Sequence, residues 1–150
     1  MSLDSIEQIL DFAIGEEEKA ARFYTELAEK VPHKSMKDVF LGFADEEKGH
    51  KAKLLGVKEG NLLLSSKKKV QDLKIADYLI DVDPSEEFDY QKALIVAMKA
   101  EKAAFKLYQD LAEKADDPEM KGLFLDLAQE EAKHKLRFEI EYDDEILKEG

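Results

Sequence analysis

Shifting the chain by 84 residues lays positions 13–54 over positions 97–138 without a gap, and 17 of those 42 positions are identical. AIGEEEKAARFYTELAEK (13–30) falls on AMKAEKAAFKLYQDLAEK (97–114), and MKDVFLGFADEEKGHKAKL (36–54) on MKGLFLDLAQEEAKHKLRF (120–138). An internal repeat of this length means that one structural unit is present twice. If the two copies pack on each other, they are related by an approximate twofold axis. Whatever one copy places on that axis, the other places there too.

Within each copy, apolar residues recur at alternating steps of three and four while Val and Thr are scarce, which specifies amphipathic helix over strand. Four such segments run roughly from Ser5 to Val31, Ser35 to Val57, Asp89 to Ala115 and Pro118 to Leu147. Pro32 interrupts the first pair, and Pro118 suits the first turn of the fourth helix. Both breaks are short, so each copy reads as an antiparallel hairpin. The hairpins are separated by about thirty residues. A helix of this length is roughly 40 Å long, and about a dozen extended residues span it. The surplus reads as a short helix near Asp72 to Ile80, where Leu73, Ala76, Leu79 and Ile80 form one apolar side. The expected fold is all-α: an antiparallel four-helix bundle of two duplicated helical hairpins joined by a long crossover, forming a single domain over 1–150.

All four apolar seams are interrupted at one level. The second helix reads Phe40, Phe43, Glu47, His50, Leu54, and the fourth reads Phe124, Leu127, Glu131, His134, Phe138. The first reads Leu10, Ala13, Glu17, Ala20, Tyr24, Leu27, and the third Leu94, Ala97, Glu101, Ala104, Tyr108, Leu111. Four carboxylates and two imidazoles therefore face the core together. Each ionised carboxylate buried without compensation costs several kcal/mol. Two divalent cations would neutralise the four acids, and the Glu-x-x-His spacing lets both side chains of one helix reach one ion. With one Glu from each remaining helix, this is the ligand pattern of carboxylate-bridged dimetal sites in bundles. Such donors suit iron or manganese, with zinc as a further occupant. Glu46 and Glu130 compete for the inward place, because an acid four residues before a His shares its face. Glu16 and Glu18 point about 100° to either side of Glu17, toward solvent.

The doubled EEKGH (46–50) and EEAKH (130–134), with Glu17 and Glu101 each seven residues before a tyrosine, resemble the ferritin-like di-iron proteins of the rubrerythrin group. The likeness covers both hairpins. It implies a non-haem centre of two Fe ions, bridged by Glu47 and Glu131, with Glu17, His50, Glu101 and His134 as terminal ligands. It also implies a redox function, in which the reduced centre meets hydrogen peroxide or dioxygen and an external, rubredoxin-like electron-donor protein restores it. Two departures stand out. The chain has no Cys, so the group's appended rubredoxin domain is absent, as are disulfides and iron–sulfur clusters. Ala104 stands where the group carries a further glutamate on its third helix. Ferroxidase or iron-handling activity, and a metal that only staples the bundle, are the alternative functions.

Tyr24 and Tyr108 lie two turns from Glu17 and Glu101 on the inward face. They either pack in the core with satisfied hydroxyls or bond to ligand carboxylates and tune the metals. Ala13, Ala20, Ala97 and Ala104 read either as close-packed seam or as the mark of a cavity for a small substrate. His33 reads as an exposed loop residue. The net charge of −12, with no basic block longer than Lys67–Lys69, excludes a nucleic-acid or anionic-lipid footprint. The longest apolar run, 93–98, is too short for a membrane span, and the first ten residues show no signal core, so the expectation is a cytoplasmic protein. A homodimer is expected through exchange of the long crossover.

Overall fold

The three-and-four periodicity becomes four helices of nearly equal length in the computed structural model: α1 (Ile6–Lys30), α2 (Lys34–Glu59), α3 (Tyr90–Lys114) and α4 (Pro118–Tyr142). The structure describes residues 2–3, 6–31, 34–59, 73–74 and 90–147. The start of α4 shows how local chemistry sets a boundary. Asp117 is extended (φ −83°, ψ 124°), its carboxylate accepts the Glu119 N–H at 2.9 Å, and Pro118 fills the first turn. At the other end the chain widens into a π-helical turn over Asp143–Leu147, where a continuous α-helix was expected. The Asp143 N–H is shared between the carbonyls of Glu139 and Ile140.

The packing explains the connectivity. α1 lies closely on α2 and α3 closely on α4, whereas the two hairpins meet through their side chains at a wider backbone spacing. One apolar cluster joins Ile9, Leu10 and Ala13 to Leu54 and Val57, to Leu107, Tyr108, Leu111 and Ala112, and to Met120, Phe124 and Leu127. The other joins Tyr24 and Leu27 to Met36 and Phe40, to Leu94 and Ala97, and to Phe138. The end of α2 thus meets the end of α3, and the start of α2 meets the start of α3. These helices are parallel, so the connection between them must travel the length of the bundle.

β1 (Ser2–Leu3) and β2 (Leu73–Lys74) form a two-residue antiparallel ladder, tying the segment before α1 to the middle of that connection. Leu73 and Lys74 are therefore extended, where the sequence pattern put the first turn of a short helix. The remainder of that helix, to Ile80, lies outside the described residues, as do Pro32, His33 and Lys67–Lys69. Among the described residues no helix is long and apolar enough to cross a membrane.

Candidate metal centre

Each helix is apolar above and below one polar level. On α1, Glu17 stands between Ala13 of the first cluster and Tyr24 of the second. Glu47 and His50, Glu101, and Glu131 and His134 hold the same place on α2, α3 and α4. All six are at most 4 % exposed. Their side chains converge in two overlapping sets, Glu17, Glu47, His50 and Glu131, and Glu47, Glu101, Glu131 and His134. Within each set one donor atom per residue lies within 4.8 Å of all the others. Glu47 and Glu131 belong to both sets, as the approximate twofold axis requires.

His50 Nδ1 is 2.8 Å from Glu131 Oε1, 3.2 Å from Glu47 Oε1 and 3.6 Å from Glu17 Oε2. His134 Nδ1 is 3.5 Å from both Glu47 Oε1 and Glu101 Oε1. None of these approaches is aligned as a hydrogen bond. Six buried atoms, Glu17 Oε2, Glu47 Oε1, His50 Nδ1, Glu101 Oε2, Glu131 Oε1 and His134 Nδ1, consequently lack a hydrogen-bond partner. A buried orphan carries the full desolvation penalty of its group, and here every one of the six faces the same space. Four oxygens and two imidazole nitrogens aimed inward are potential metal ligands whose lone pairs meet no aligned N–H or O–H donor of the protein. The donor set fits two hard or borderline divalent cations.

The outer atoms of the same groups are held. The Tyr24 hydroxyl donates to Glu101 Oε1, and the Tyr108 hydroxyl donates to Glu17 Oε1. Each tyrosine therefore fixes a carboxylate of the other hairpin. His134 Nε2 bonds to Glu46 Oε2, and the Phe43 ring stacks on His134 with centroids 4.0 Å apart. Because a carboxylate only accepts, Nε2 carries the proton in that bond and Nδ1 is turned inward. The two imidazoles are 6.3 Å apart and nearly parallel.

Burial pushes the Glu47 carboxyl up to about 8, reinforced by Glu17 and Glu101 and opposed by His50. Burial also raises Glu131 well above the carboxylate range, helped by Glu101 and Glu47. For His50 burial acts downward, but the acceptors Glu17 and Glu47 outweigh it and raise the imidazole to about 10. His134 rises to about 9 against the same burial, through Glu101, Glu47 and Glu46. Burial, then the charges of Glu101 and Glu17, keep Tyr24 and Tyr108 protonated. In the metal-free chain, Glu47 and both imidazoles thus retain protons at neutral pH.

Besides a cavity of about 530 Å³ between α1 and α2 that touches Glu17, two others reach this level from opposite sides. One, of about 220 Å³, opens between α1 and α3 and has Glu17, Glu47, Glu101, Glu131, Tyr24 and Tyr108 on its inner side. The other, of about 370 Å³, lies between α2 and α4 over Phe43, Glu46 and His134.

The structure brings all six sequence-selected Glu and His residues together, with both tyrosines beside them. Glu16 and Glu18 lie outward, near Lys19 and Lys51 respectively. Ala13 and Ala97 are fully buried in the apolar clusters, whereas Ala20 and Ala104 line the α1–α3 cavity. Glu46 is the residue whose role sequence reasoning missed. Its side chain is 49 % exposed and does not compete with Glu47 for the inward position, yet it holds His134 of the opposite hairpin. The one available signal was its position beside Glu47, on the flank of α2.

The sequence profile of the rubrerythrin family matches residues 8–83 and 92–149. No protein of curated description matches the chain. Among solved structures, a Thermotoga maritima protein proposed to be a ferritin-like diiron-carboxylate protein superposes with a TM-score of 0.80 at 24% identity, covering 94% of this chain and 95% of that one. A hypothetical protein from Pyrococcus furiosus superposes with a TM-score of 0.72 at 29% identity, covering 93% and 89%. The architecture is that of the ferritin-like bundle.

Proposed function

The chain belongs to the rubrerythrin family, and from that membership and its buried cluster we propose that it is a non-haem di-iron redox protein. In this reading it reduces hydrogen peroxide or dioxygen with electrons from an external donor protein. The observation that carries the proposal is the set of six buried, partnerless donor atoms, one from each of Glu17, Glu47, His50, Glu101, Glu131 and His134. Glu17 and His50 would hold one ion, Glu101 and His134 the other, and Glu47 and Glu131 would be shared. Two iron ions bound there supply two one-electron oxidations and Lewis acidity toward a peroxide oxygen.

The rest is the work of the chain's own residues. Tyr24 and Tyr108 each hold a proton against one oxygen of Glu101 and Glu17, which leaves the second oxygen of each carboxylate facing the shared space. Glu46 fixes the His134 ring through Nε2, as an outer carboxylate does for a ligating imidazole. Phe40 and Phe138 on one side, and Phe124 and Leu127 on the other, exclude water along the bundle axis. The cavities between helices are left as the routes for small molecules.

The test is anaerobic loading of the protein with Fe(II), followed by hydrogen peroxide or dioxygen. Metal content and the near-ultraviolet charge-transfer absorbance of the ferric form are followed with and without a rubredoxin-like donor and its reductase. Two irons per chain, with absorbance that rises with oxidant and falls with donor over repeated cycles, is the expected result. A centre that forms but never cycles would reduce the metal to a structural staple. Iron accumulating far beyond two ions per chain would identify iron handling instead.

A further inference from the structure

The cavity between α1 and α3 extends outward from the proposed metal centre. Its volume is about 220 Å³, the inner part lying between Glu17, Glu47, Glu101 and Glu131 and the outer part walled by Phe23, Val96, Ala100, Ala103, Ala104 and Leu107. The repeat shows that its walls are specialised. On α1 the lining residues are Glu16, Lys19, Ala20 and Phe23, and the equivalent positions on α3, 84 residues later, are Ala100, Ala103, Ala104 and Leu107. Two positions that are charged on one helix are alanine on the other. The inner end of the cavity is the proposed metal centre itself. The lining carboxylates Glu17, Glu47, Glu101 and Glu131 are each at most 3 % exposed, and each has a partnerless oxygen.

We propose that this cavity receives the organic group of a small, uncharged alkyl hydroperoxide, with its peroxide end against the carboxylate floor. The inference rests on the proposed redox function and names a substrate class for it. The apolar wall of Phe23, Val96, Ala100, Ala104 and Leu107 removes the alkyl group from water, which stabilises binding by about 25 cal/mol for each Å² covered. The same apolar wall, with Glu16 and Lys19 paired at its outer edge, offers no counter-ion to a charged substrate along its length. The reaction is a two-electron reduction: the O–O bond of ROOH breaks, two electrons arrive from the external one-electron donor, two protons come from solvent, and ROH and water leave.

Binding is tested separately from turnover. The product analogue tert-butyl alcohol is titrated into the metal-free chain while the methyl resonances of Ala20, Ala100, Ala103 and Ala104 are followed. Saturable shifts at these methyls are expected, and they are expected to vanish in Ala100→Leu and in Ala103→Leu, which fill the cavity. With iron-loaded protein and donor, kcat/KM for tert-butyl hydroperoxide relative to that for hydrogen peroxide should fall about tenfold or more in either leucine variant. Each variant is read at two irons per chain, so poor folding of one leaves the other decisive. Unshifted methyls, or a substrate ratio within twofold of the parent's in a loaded variant, overturns the inference. Turnover of hydrogen peroxide without turnover of tert-butyl hydroperoxide overturns it and leaves the redox function standing. Failure with every oxidant, dioxygen included, overturns both.

Discussion

Tyr24 and Tyr108 do what neither hairpin can do alone, since each hydroxyl reaches a buried carboxylate on the opposite copy. Replacing Tyr24 by Phe removes the donor to Glu101 Oε1, and Tyr108→Phe does the same for Glu17 Oε1. Leaving a buried acceptor unpaired costs about 1–3 kcal/mol. Urea denaturation of the metal-free chain should show a loss of that size for each variant, and nearly equal losses because the sites are related by the repeat. At Glu46 the expectation covers both stability and binding. Glu46→Ala leaves the buried His134 Nε2–H without its acceptor and should cost the metal-free chain about 1 kcal/mol. It should weaken metal binding by roughly 10–100-fold, because the His134 ring loses its outer partner. Competition with a chelator of known affinity measures this.

At the scale of the element, α4 is the helix whose boundaries are best explained. Asp117 caps it and Pro118 occupies a position whose N–H would have no partner. Asp117→Ala should therefore cost about 1 kcal/mol. In a chain of this size that corresponds to roughly 2–4 °C in melting temperature, read by thermal unfolding followed by circular dichroism. The helices themselves were legible because their periodicity is local and is repeated 84 residues later. The segment at Leu73 and Lys74 was not, because its apolar spacing fits one side of a helix equally well. Pairing with Ser2 and Leu3, residues distant in sequence, makes it extended.

For the whole molecule the strongest consequence is a coupling between pH, metal and stability. His50 near 10 and His134 near 9 lie above their ordinary value of 6.5, so both favour the folded metal-free chain fully below about 6.5. That contribution disappears as pH rises through 9 and 10. Glu47 near 8 against an ordinary 4.5 acts in the same direction, because the folded chain holds a proton that the unfolded chain has lost between those values. Melting temperature of the metal-free chain should accordingly fall from pH 6 to pH 9.5. Two divalent cations would replace the protons on Glu47, His50 Nδ1 and His134 Nδ1. Loading at neutral pH should release about three protons or more per chain, measured with an indicator in weak buffer, and metal affinity should rise with pH. Loaded protein should melt higher than metal-free protein and depend less on pH.

The amino-acid sequence by itself determined the helices, their duplication, and the placing of Glu17, Glu47, His50, Glu101, Glu131 and His134 at one level of the bundle. All of these follow from spacing along a helix of known pitch, applied twice. Only the tertiary structure decided that Tyr24 meets Glu101 and Tyr108 meets Glu17, that Glu46 belongs to His134, and that α1 and α3 stand far enough apart to leave a cavity. Those relations depend on the distance and rotation between helices. Packing of side chains remote in sequence, such as Phe40 against Phe138, sets both, and no periodicity within a single helix records them.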